Sequence, residues 1–334
     1  MGEKILLAHG SGSRLSHDLI DKILAPPLNN PILSRMDDSA VFELTGRLAF
    51  TTDSYVVSPI FFPGGDIGRL AVCGTVNDLC MSGARPLYIS LALIIEEGLE
   101  IEDLRRVIES VRGTAEEAGV IIVTGDTKVV NRGKADRLFI NTSGIGLVEG
   151  EADISGSNAK AGDKIILSGG LGEHGMAVMS RREGLQFSLP VTSDCAPLNH
   201  LVADMLAVSR RIHSLRDPTR GGLASTLNEF ARQSGVGITI EEANIPVHDG
   251  VRGACELLGL DPLYIANEGK LVAVIDPIDA DKVLAAMQKN KYGVQAAIIG
   301  EATAEHKGRV VMKTRIGTSR IVDMPSGEIL PRIC

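Results

Sequence analysis

The sequence predicts an α/β protein of two domains, a strand-rich N-terminal half followed by an α/β half, closed by a flexible C-terminal tail. Three observations carry this. Segments of alternating or continuous apolar residues, read as strands, recur between segments with apolar residues at three- and four-residue steps, read as helices. The stretch 150–162 is rich in Gly, Ser, Asp and Ala and is the best linker in the chain. The length of 334 residues suffices for two well-formed cores. The expected boundaries are 1–155, 156–318 and a mobile tail over 319–334.

Composition narrows the class. Aromatic residues make up only 3% and Trp is absent, so the cores must be built from Val, Ile, Leu and Ala, while 37 glycines imply many tight turns or ligand loops. A net charge of -8 argues against nucleic acid as a bulk partner. No apolar run is long enough to span a membrane. The first ten residues lack the basic and apolar regions of a signal peptide, and Leu6 stands where a myristoylation signal needs Ser or Thr. A cytoplasmic protein is expected. Five cysteines (Cys73, Cys80, Cys195, Cys255, Cys334) form no C-x-x-C pair and are odd in number, which speaks against a zinc cluster or a disulfide framework. The first four are expected to be small buried hydrophobes.

In chain order, Ala8 to Ser13 is small and polar, suited either to a loop that closes over a ligand or to a disordered leader, and His9 within it is a weak candidate. Residues 40–44 and 48–52, on either side of Thr45-Gly46-Arg47, read as a hairpin. A helix is predicted from Asp66, its N-cap, to Gly83, with Pro86 just beyond. Ile67, Ala71, Gly74, Asp78 and Met81 share one face, so Asp78 is a carboxylate on a small apolar surface and needs a partner. Residues 87–95 form a nearly continuous apolar strand, 101–118 an amphipathic helix stopped by Gly119, and 120–124 and 138–148 two more strands.

The second half opens with a strand over 164–168, the glycine loop 169–172 and a helix over 173–182. Helices are predicted near 197–208, 223–233, 250–258 and 279–289, and strands at 271–275, 295–299 and 309–314. No 20- to 50-residue repeat is visible.

The acids of the first half stand at strand ends and in turns: Asp37 and Asp38, Asp53, Asp78, and Asp126. Taken singly, an aspartate is more often a turn former or cap. Several brought together repel one another unless a cation intervenes, and such hard oxygen donors suit magnesium with substrate phosphates. Gly170-Leu171-Gly172-Glu173-His174-Gly175 satisfies G-x-G-x-x-G between a strand and a helix. A dinucleotide fold would also need an acid ending a second strand, and Asp194 follows a stretch interrupted by proline. The loop therefore reads as a helix start able to accept phosphate. No P-loop signature is present, so any ATP use lies outside that class. Asp217-Pro218-Thr219-Arg220-Gly221-Gly222 offers a carboxylate, a hydroxyl and a guanidinium ahead of a helix, a combination able to hold metal and polyphosphate together. Lys128 and Glu268 are candidate acid, base or electrostatic groups, with a solvated surface charge as the plain alternative.

At this point a family resemblance becomes specific. Asp37-Asp38-Ser39-Ala40-Val41, Thr51-Thr52-Asp53, Asn77-Asp78-Leu79-Cys80-Met81-Ser82-Gly83-Ala84-Arg85-Pro86, Gly125-Asp126-Thr127-Lys128-Val129 and Asp217-Pro218-Thr219-Arg220-Gly221-Gly222-Leu223 resemble, in this order, the superfamily of aminoimidazole ribonucleotide (AIR) synthetase and selenophosphate synthetase. They cover nearly the whole chain. The reactive Cys or Sec with a Lys that selenophosphate synthetases carry near the N-terminus is not found. With its last residues, Pro331-Arg332-Ile333-Cys334, the chain is similar to the hydrogenase-maturation branch.

That resemblance implies a PurM-like (AIR synthetase-like) fold in both domains, ATP and Mg2+ as cofactors, and a homodimer through the N-terminal domains. It implies an ATP-dependent dehydration. A carbamoyltransferase partner, HypF, loads a carbamoyl group onto the Cys334 thiol, the γ-phosphate of ATP activates the thiocarboxamide oxygen, and loss of phosphate leaves a thiocyanate. The cyanide then passes to an iron centre on the HypC–HypD scaffold of NiFe-hydrogenase maturation. Asp38, Asp53, Asp78 and Asp217 match the family's metal-binding aspartates. Asp37, Asn77, Gly125, Asp126, Thr127, Thr219, Arg220 and Gly221 join them at the ATP. Cys334 is the carrier, Glu268 the expected base, and Lys128 is placed to polarise or relay. About 20 residues follow the strand near Thr314, up to roughly 65 Å when extended, enough for the tail to visit both an internal site and a partner. Pro331 is expected to stiffen that approach and Arg332 to ease thiolate formation, which the α-carboxylate of Cys334 opposes. Two other readings stay open: a different synthetase of the superfamily making a phosphorylated small product, and a nucleotide-responsive binding protein with a docking tail.

Overall fold

Alternation between buried and partly exposed positions makes a four-stranded sheet the frame of the first domain. In this computed structural model, residues 4–334 are described except 13, 38, 149, 151–152, 186–188, 328–329 and 331. The domain begins with α1 (Arg14–Leu19), a π-helical turn and α2 (Ala25–Leu28). There follow β1 (Arg47–Tyr55), the short ribbon β2 (Phe61–Phe62) and β3 (Gly65–Asp66), α3 (Ile67–Met81), β4 (Ala84–Glu96), α4 (Ile101–Ala118), β5 (Ile121–Val130) and β6 (Leu138–Val148). The strand order is β1-β6-β4-β5. β6 runs antiparallel to both β1 and β4, and β5 runs parallel to β4.

The second domain holds β7 (Lys164–Leu167), α5 (Glu173–Glu183), α6 (Asn199–Val208), β8 (Ile212–Arg216), α7 (Gly222–Ser234) and β9 (Gly237–Glu241). It continues through α8 (Asp249–Leu258), β10 (Val272–Ile275), α9 (Ala280–Met287), β11 (Ala297–Thr303), β12 (Val310–Lys313) and β13 (Ser319–Val322). Its seven strands are ordered β13-β12-β9-β11-β7-β10-β8.

α3 is buried almost all round because it lies at the junction. It packs on the first sheet and α4 on one side and on α6 and β8 of the second domain on the other. Asp66 caps it, accepting from the Gly68 and Arg69 amides, as its position before an apolar run predicts. Gly74 is required for close approach, since a Cβ there would lie 2.3 Å from the Tyr55 hydroxyl. Two polar ties cross the junction. Asn77 accepts from the Leu198 amide at 2.8 Å and donates to the Ala196 and Glu268 carbonyls. Glu117 of α4 meets Arg69, Lys291 and Tyr292.

Two expectations are corrected. The hairpin over 40–44 and 48–52 does not form: residues 40–45 carry no strand, and β1 pairs with β6. The alternation in 40–44 is real, but it lays the segment on the sheet, with the Phe42 ring 4.3 Å from that of Tyr88. Periodicity of two fixes which side chains share a face and leaves the hydrogen-bonding partner open. The second correction concerns the tail. Regular structure continues through β13, four residues into the stretch assigned to the tail, as an edge strand whose Ser319, Arg320 and Ile321 are exposed and give little apolar signal.

Candidate functional site

The loop ahead of α7 brings the two domains' acids together. Asp53 from β1, Asp78 from α3, Asp217 from the end of β8 and Glu268 from the turn before β10 line one cavity, with Thr219, Arg220 and the chain's own Cys334. About 40 Å³ of it remains open, room for a small polar group. Asp78 accepts from the Thr51 hydroxyl at 2.8 Å, which answers its need for a partner on an apolar helix face.

The acids strain one another electrostatically. Burial, then the neighbouring Asp78, pushes Asp217 up to about 7. Burial raises Asp78 too, with Asp53 adding to it against the Thr51 hydrogen bond. Glu268 is 2% exposed, and burial, followed by the charges of Asp217 and Asp194, lifts it well above the usual carboxylate range. Its Oε1 has no partner among the described residues, and the carboxyl meets the Cys334 side chain. Asp194 holds this turn in place: its carboxylate accepts from the Glu268 and Gly269 amides at 3.2 and 3.1 Å and meets the Lys270 ammonium at 3.3 Å.

Three of the four expected magnesium ligands, Asp53, Asp78 and Asp217, line this cavity. Asp38 lies outside the described residues, and among those described no three acidic, His or Cys side chains already form a metal cluster. Asp53, Asp78 and Asp217 nevertheless fit a hard cation that arrives with phosphate oxygens, because a divalent ion would relieve the repulsion that raises Asp217. Asp37 stands apart, exposed and paired with Arg35 at 3.4 Å. Asn77 serves the domain junction, and Gly221 is the left-handed residue (φ 78°) that opens α7.

Gly125, Asp126, Thr127 and Lys128 belong to a second cavity, of about 320 Å³, walled by Leu33, Met36, Leu91, Leu93, Ile108 and Ile122. His9 and Gly10 also border it. Lys128 is exposed there beside Asp126, 3.3 Å away, and is not among the residues gathered around Cys334 and Glu268. The two cavities are joined through the sheet register: Asp53 pairs with Thr142, Thr142 with Leu91, and Leu91 with Gly125. Three strand spacings, about 14 Å, separate the acidic edge from the apolar one.

The tail is docked. Ile333 is 2% exposed and joins the core of the first domain together with Val178, Cys195 and Ala266, a burial that contributes roughly 1.5–3 kcal/mol. The Ser58 amide and Arg182 donate to the Arg332 carbonyl, and His174 reaches the Ile333 carbonyl at 2.9 Å. Arg332 adopts φ 53°, a left-handed conformation costing about 1–2 kcal/mol that these bonds offset. Its guanidinium pairs with Asp136 at 2.9 Å. Arg332 therefore does not attend the thiol in this position, contrary to expectation. Burial, then Glu268, raises the Cys334 thiol well above its ordinary value, and Arg220 is the cation that opposes them. Pro331 lies outside the described residues.

The glycine motif is also corrected. Three of its amides are occupied within the protein: Leu171 donates to the Pro246 carbonyl at 3.1 Å, Gly172 to Asn267 Oδ1 at 2.7 Å, and Gly175 to the Ala266 carbonyl at 3.1 Å. Glu173, at the start of the helix, already places a carboxylate there, bonded to Lys270 at 2.9 Å. The carboxylate and these three bonds leave the helix start less suited to a phosphate than its spacing predicts. Sequence reasoning missed the tail contacts of His174, Ser58, Arg182 and Asp136, and the brace of Asp194. Of these, His174 and Asp194 had a visible signal, each as part of a dinucleotide motif read for another purpose.

Comparison with known proteins agrees with this arrangement. Residues 36–148 match the family of AIR synthase related proteins, N-terminal domain, and residues 160–313 its C-terminal domain. The chain is 53% identical to a protein named carbamoyl dehydratase HypE from Azotobacter vinelandii, over 98% of this chain and 96% of that one. A crystal structure of the hydrogenase maturation protein HypE in complex with ATP superposes with a TM-score of 0.95 at 50% identity, covering 98% and 99% of the two chains. A structure of a HypE–HypF complex matches with a TM-score of 0.82 at 50% identity, covering 94% of this chain and all of that one. With both domains matched and half of the residues identical along nearly the full length, the chain belongs to the HypE family of hydrogenase maturation proteins, within the AIR synthase related fold.

Proposed function

We propose that this protein is an ATP-dependent carbamoyl dehydratase whose substrate is carried on its own C-terminal cysteine. The observation that carries the reading is the docked tail, which sets the Cys334 side chain against the buried Glu268 carboxyl in the cavity shared with Asp53, Asp78 and Asp217. With a carbamoyl group on sulfur, the thiocarboxamide oxygen takes the γ-phosphoryl group of ATP and ADP leaves. The nitrogen then gives up both protons as the C–O bond breaks and phosphate departs with the amide oxygen, leaving S-cyanocysteine. Glu268, buried and raised, is the base for one of these protons. Arg220 and Thr219 face the phosphate. Magnesium, held by Asp53, Asp78, Asp217 and Asp38, would neutralise phosphate charge there.

The nucleoside end belongs in the apolar cavity beside Thr127, with Lys128 at its mouth directed to the phosphates. The span of about 14 Å across the sheet suits a nucleotide with its base at one edge and its terminal phosphate at the other. HypF is the partner, as a HypE–HypF complex of a relative supports; in this reading it supplies the carbamoyl group, and a HypC–HypD scaffold receives the cyanide. The outer face of the first sheet carries a row of Phe50, Ile145, Tyr88 and Ile121, of which Phe50 is 70% and Ile121 40% exposed. An exposed apolar row of this kind supports a homodimer through the first domains.

Intact mass tests the reaction. After incubation with HypF and its carbamoyl donor, the chain should gain one carbamoyl group at Cys334, and addition of Mg-ATP should remove the mass of one water. Loading without subsequent loss of water would rule the reading out.

A further inference from the structure

His174 is a buried titratable residue that the chemistry above does not use. It is fully buried at the start of α5, inside the glycine motif, and makes two hydrogen bonds. Nε2 lies 2.9 Å from the Ile333 carbonyl and Nδ1 lies 2.8 Å from the Ser193 hydroxyl. A carbonyl can only accept, so the proton must sit on Nε2 and Nδ1 must accept from the hydroxyl. The Ser193 oxygen in turn accepts from the Cys195 amide at 3.1 Å, which leaves its own proton for the ring. The chain of donors fixes one neutral tautomer and points its N–H at the penultimate peptide of the tail.

The surrounding motif serves the same end. A Cβ at Gly175 would stand 2.4 Å from Ile265 and 3.2 Å from Leu330 of the tail. Glycine there lets the tail lie against the helix start. The Phe62 ring meets the His174 ring edge-on, with centroids 5.3 Å apart, and keeps the imidazole upright.

Resting on the dehydratase reading, we propose that His174, oriented by Ser193, is the receptor that holds the tail inward by the Ile333 carbonyl. It is a positioning residue for dehydration and has no part in loading. The His174 bond is the tail contact nearest the thiol among those made by Ser58, Arg182 and Asp136, so its loss weakens docking and shifts the tail outward, exposing the sulfur to partner and solvent alike.

The test uses the full-length chain and two readouts. Alkylation of Cys334 by iodoacetamide, read on the C-terminal peptide, reports docking without any reference to the reaction. His174→Ala should raise that rate about five- to tenfold, and Ser193→Ala about threefold, while His174→Gln, which retains an N–H donor, should stay within about twofold of the native chain. In the presence of HypF, every variant should still reach full carbamoyl loading, no more slowly than the native chain, and Mg-ATP-dependent loss of water should slow in the same order as docking weakens. Native alkylation rates in both His174→Ala and Ser193→Ala would overturn the receptor assignment. Failure of the wild-type chain to load Cys334 would overturn the dehydratase reading instead, and the alkylation rates would still decide the receptor.

Discussion

Two helix starts in the second domain are built alike and used differently. Both α5 and α7 begin after a glycine in the left-handed conformation, Gly172 at φ 82° and Gly221 at φ 78°, without a side-chain cap. Ahead of α7, Asp217, Thr219 and Arg220 turn into the acidic cavity. Ahead of α5, the amides are occupied by Pro246, Asn267 and Ala266, and His174 turns to the tail. The motif with the stronger phosphate signature spends three of its amides on its own chain and turns His174 to the tail, and the weaker one faces the acidic cavity. A glycine loop permits a backbone path, and what approaches that path is set by the neighbouring chain.

The largest effect should come from removing what the α5 loop receives. Cys334→Ala is expected to abolish the carbamoyl adduct while leaving ATP affinity, measured by calorimetry, unchanged. A normal adduct in that variant would move the carrier elsewhere. Glu268→Gln, between the two loops, should slow loss of water about 10²- to 10⁴-fold with loading intact, as single-turnover mass measurements would register. On the α7 side, Asp78→Asn should weaken Mg-ATP binding at least about tenfold without preventing carbamoylation. Equal nucleotide affinity in the two proteins would separate the acidic cavity from the nucleotide.

Smaller effects test how the two loops are held in one frame. At Glu117, burial pushes the carboxyl up, but hydrogen bonds from Lys291, Tyr292 and Arg69 outweigh it and hold the group at about 2. A depressed folded-state pKa gives stability that is complete above the unfolded value near 4.5 and is lost as pH falls through about 2. Glu117→Gln should therefore cost roughly 1–2 kcal/mol at pH 7, allowing for partial exposure, and the difference in denaturant midpoint should vanish near pH 2. Smallest of all, Asp136→Asn removes an exposed ion pair with Arg332. It should speed alkylation of Cys334 by no more than about fivefold, and less in high salt.

Much of the frame was legible because it rests on local rules. Asp66 caps α3 and Gly119 ends α4, as N-cap and left-handed C-terminal signals require. The odd carboxylate of that helix, Asp78, does reach a polar cavity. The hairpin at 40–52 failed because alternation carries no address for its partner strand. β8, β9 and β13 were missed because polar residues interrupt their short apolar pattern, whereas the equally short β7, β10 and β12 are continuous apolar runs. Lys128 and Glu268 were paired in expectation as neighbours in the chemistry, and the structure sets them in two cavities, since β5 and the turn before β10 belong to different domains.

By itself the sequence determined the two-domain α/β plan, the aspartates of the acidic cavity that the structure describes, and the terminal thiol. Residue types at fixed spacing are enough to write a helix face, a strand or a phosphate-facing loop. Only the tertiary structure decided that the tail lies inward, that His174 rather than Arg332 attends its end, and that three amides of the glycine motif bond to the protein itself. Those facts depend on contacts such as His174 with Ile333, 159 residues apart in the chain. Such a contact depends on how two domains pack, and local spacing does not encode it.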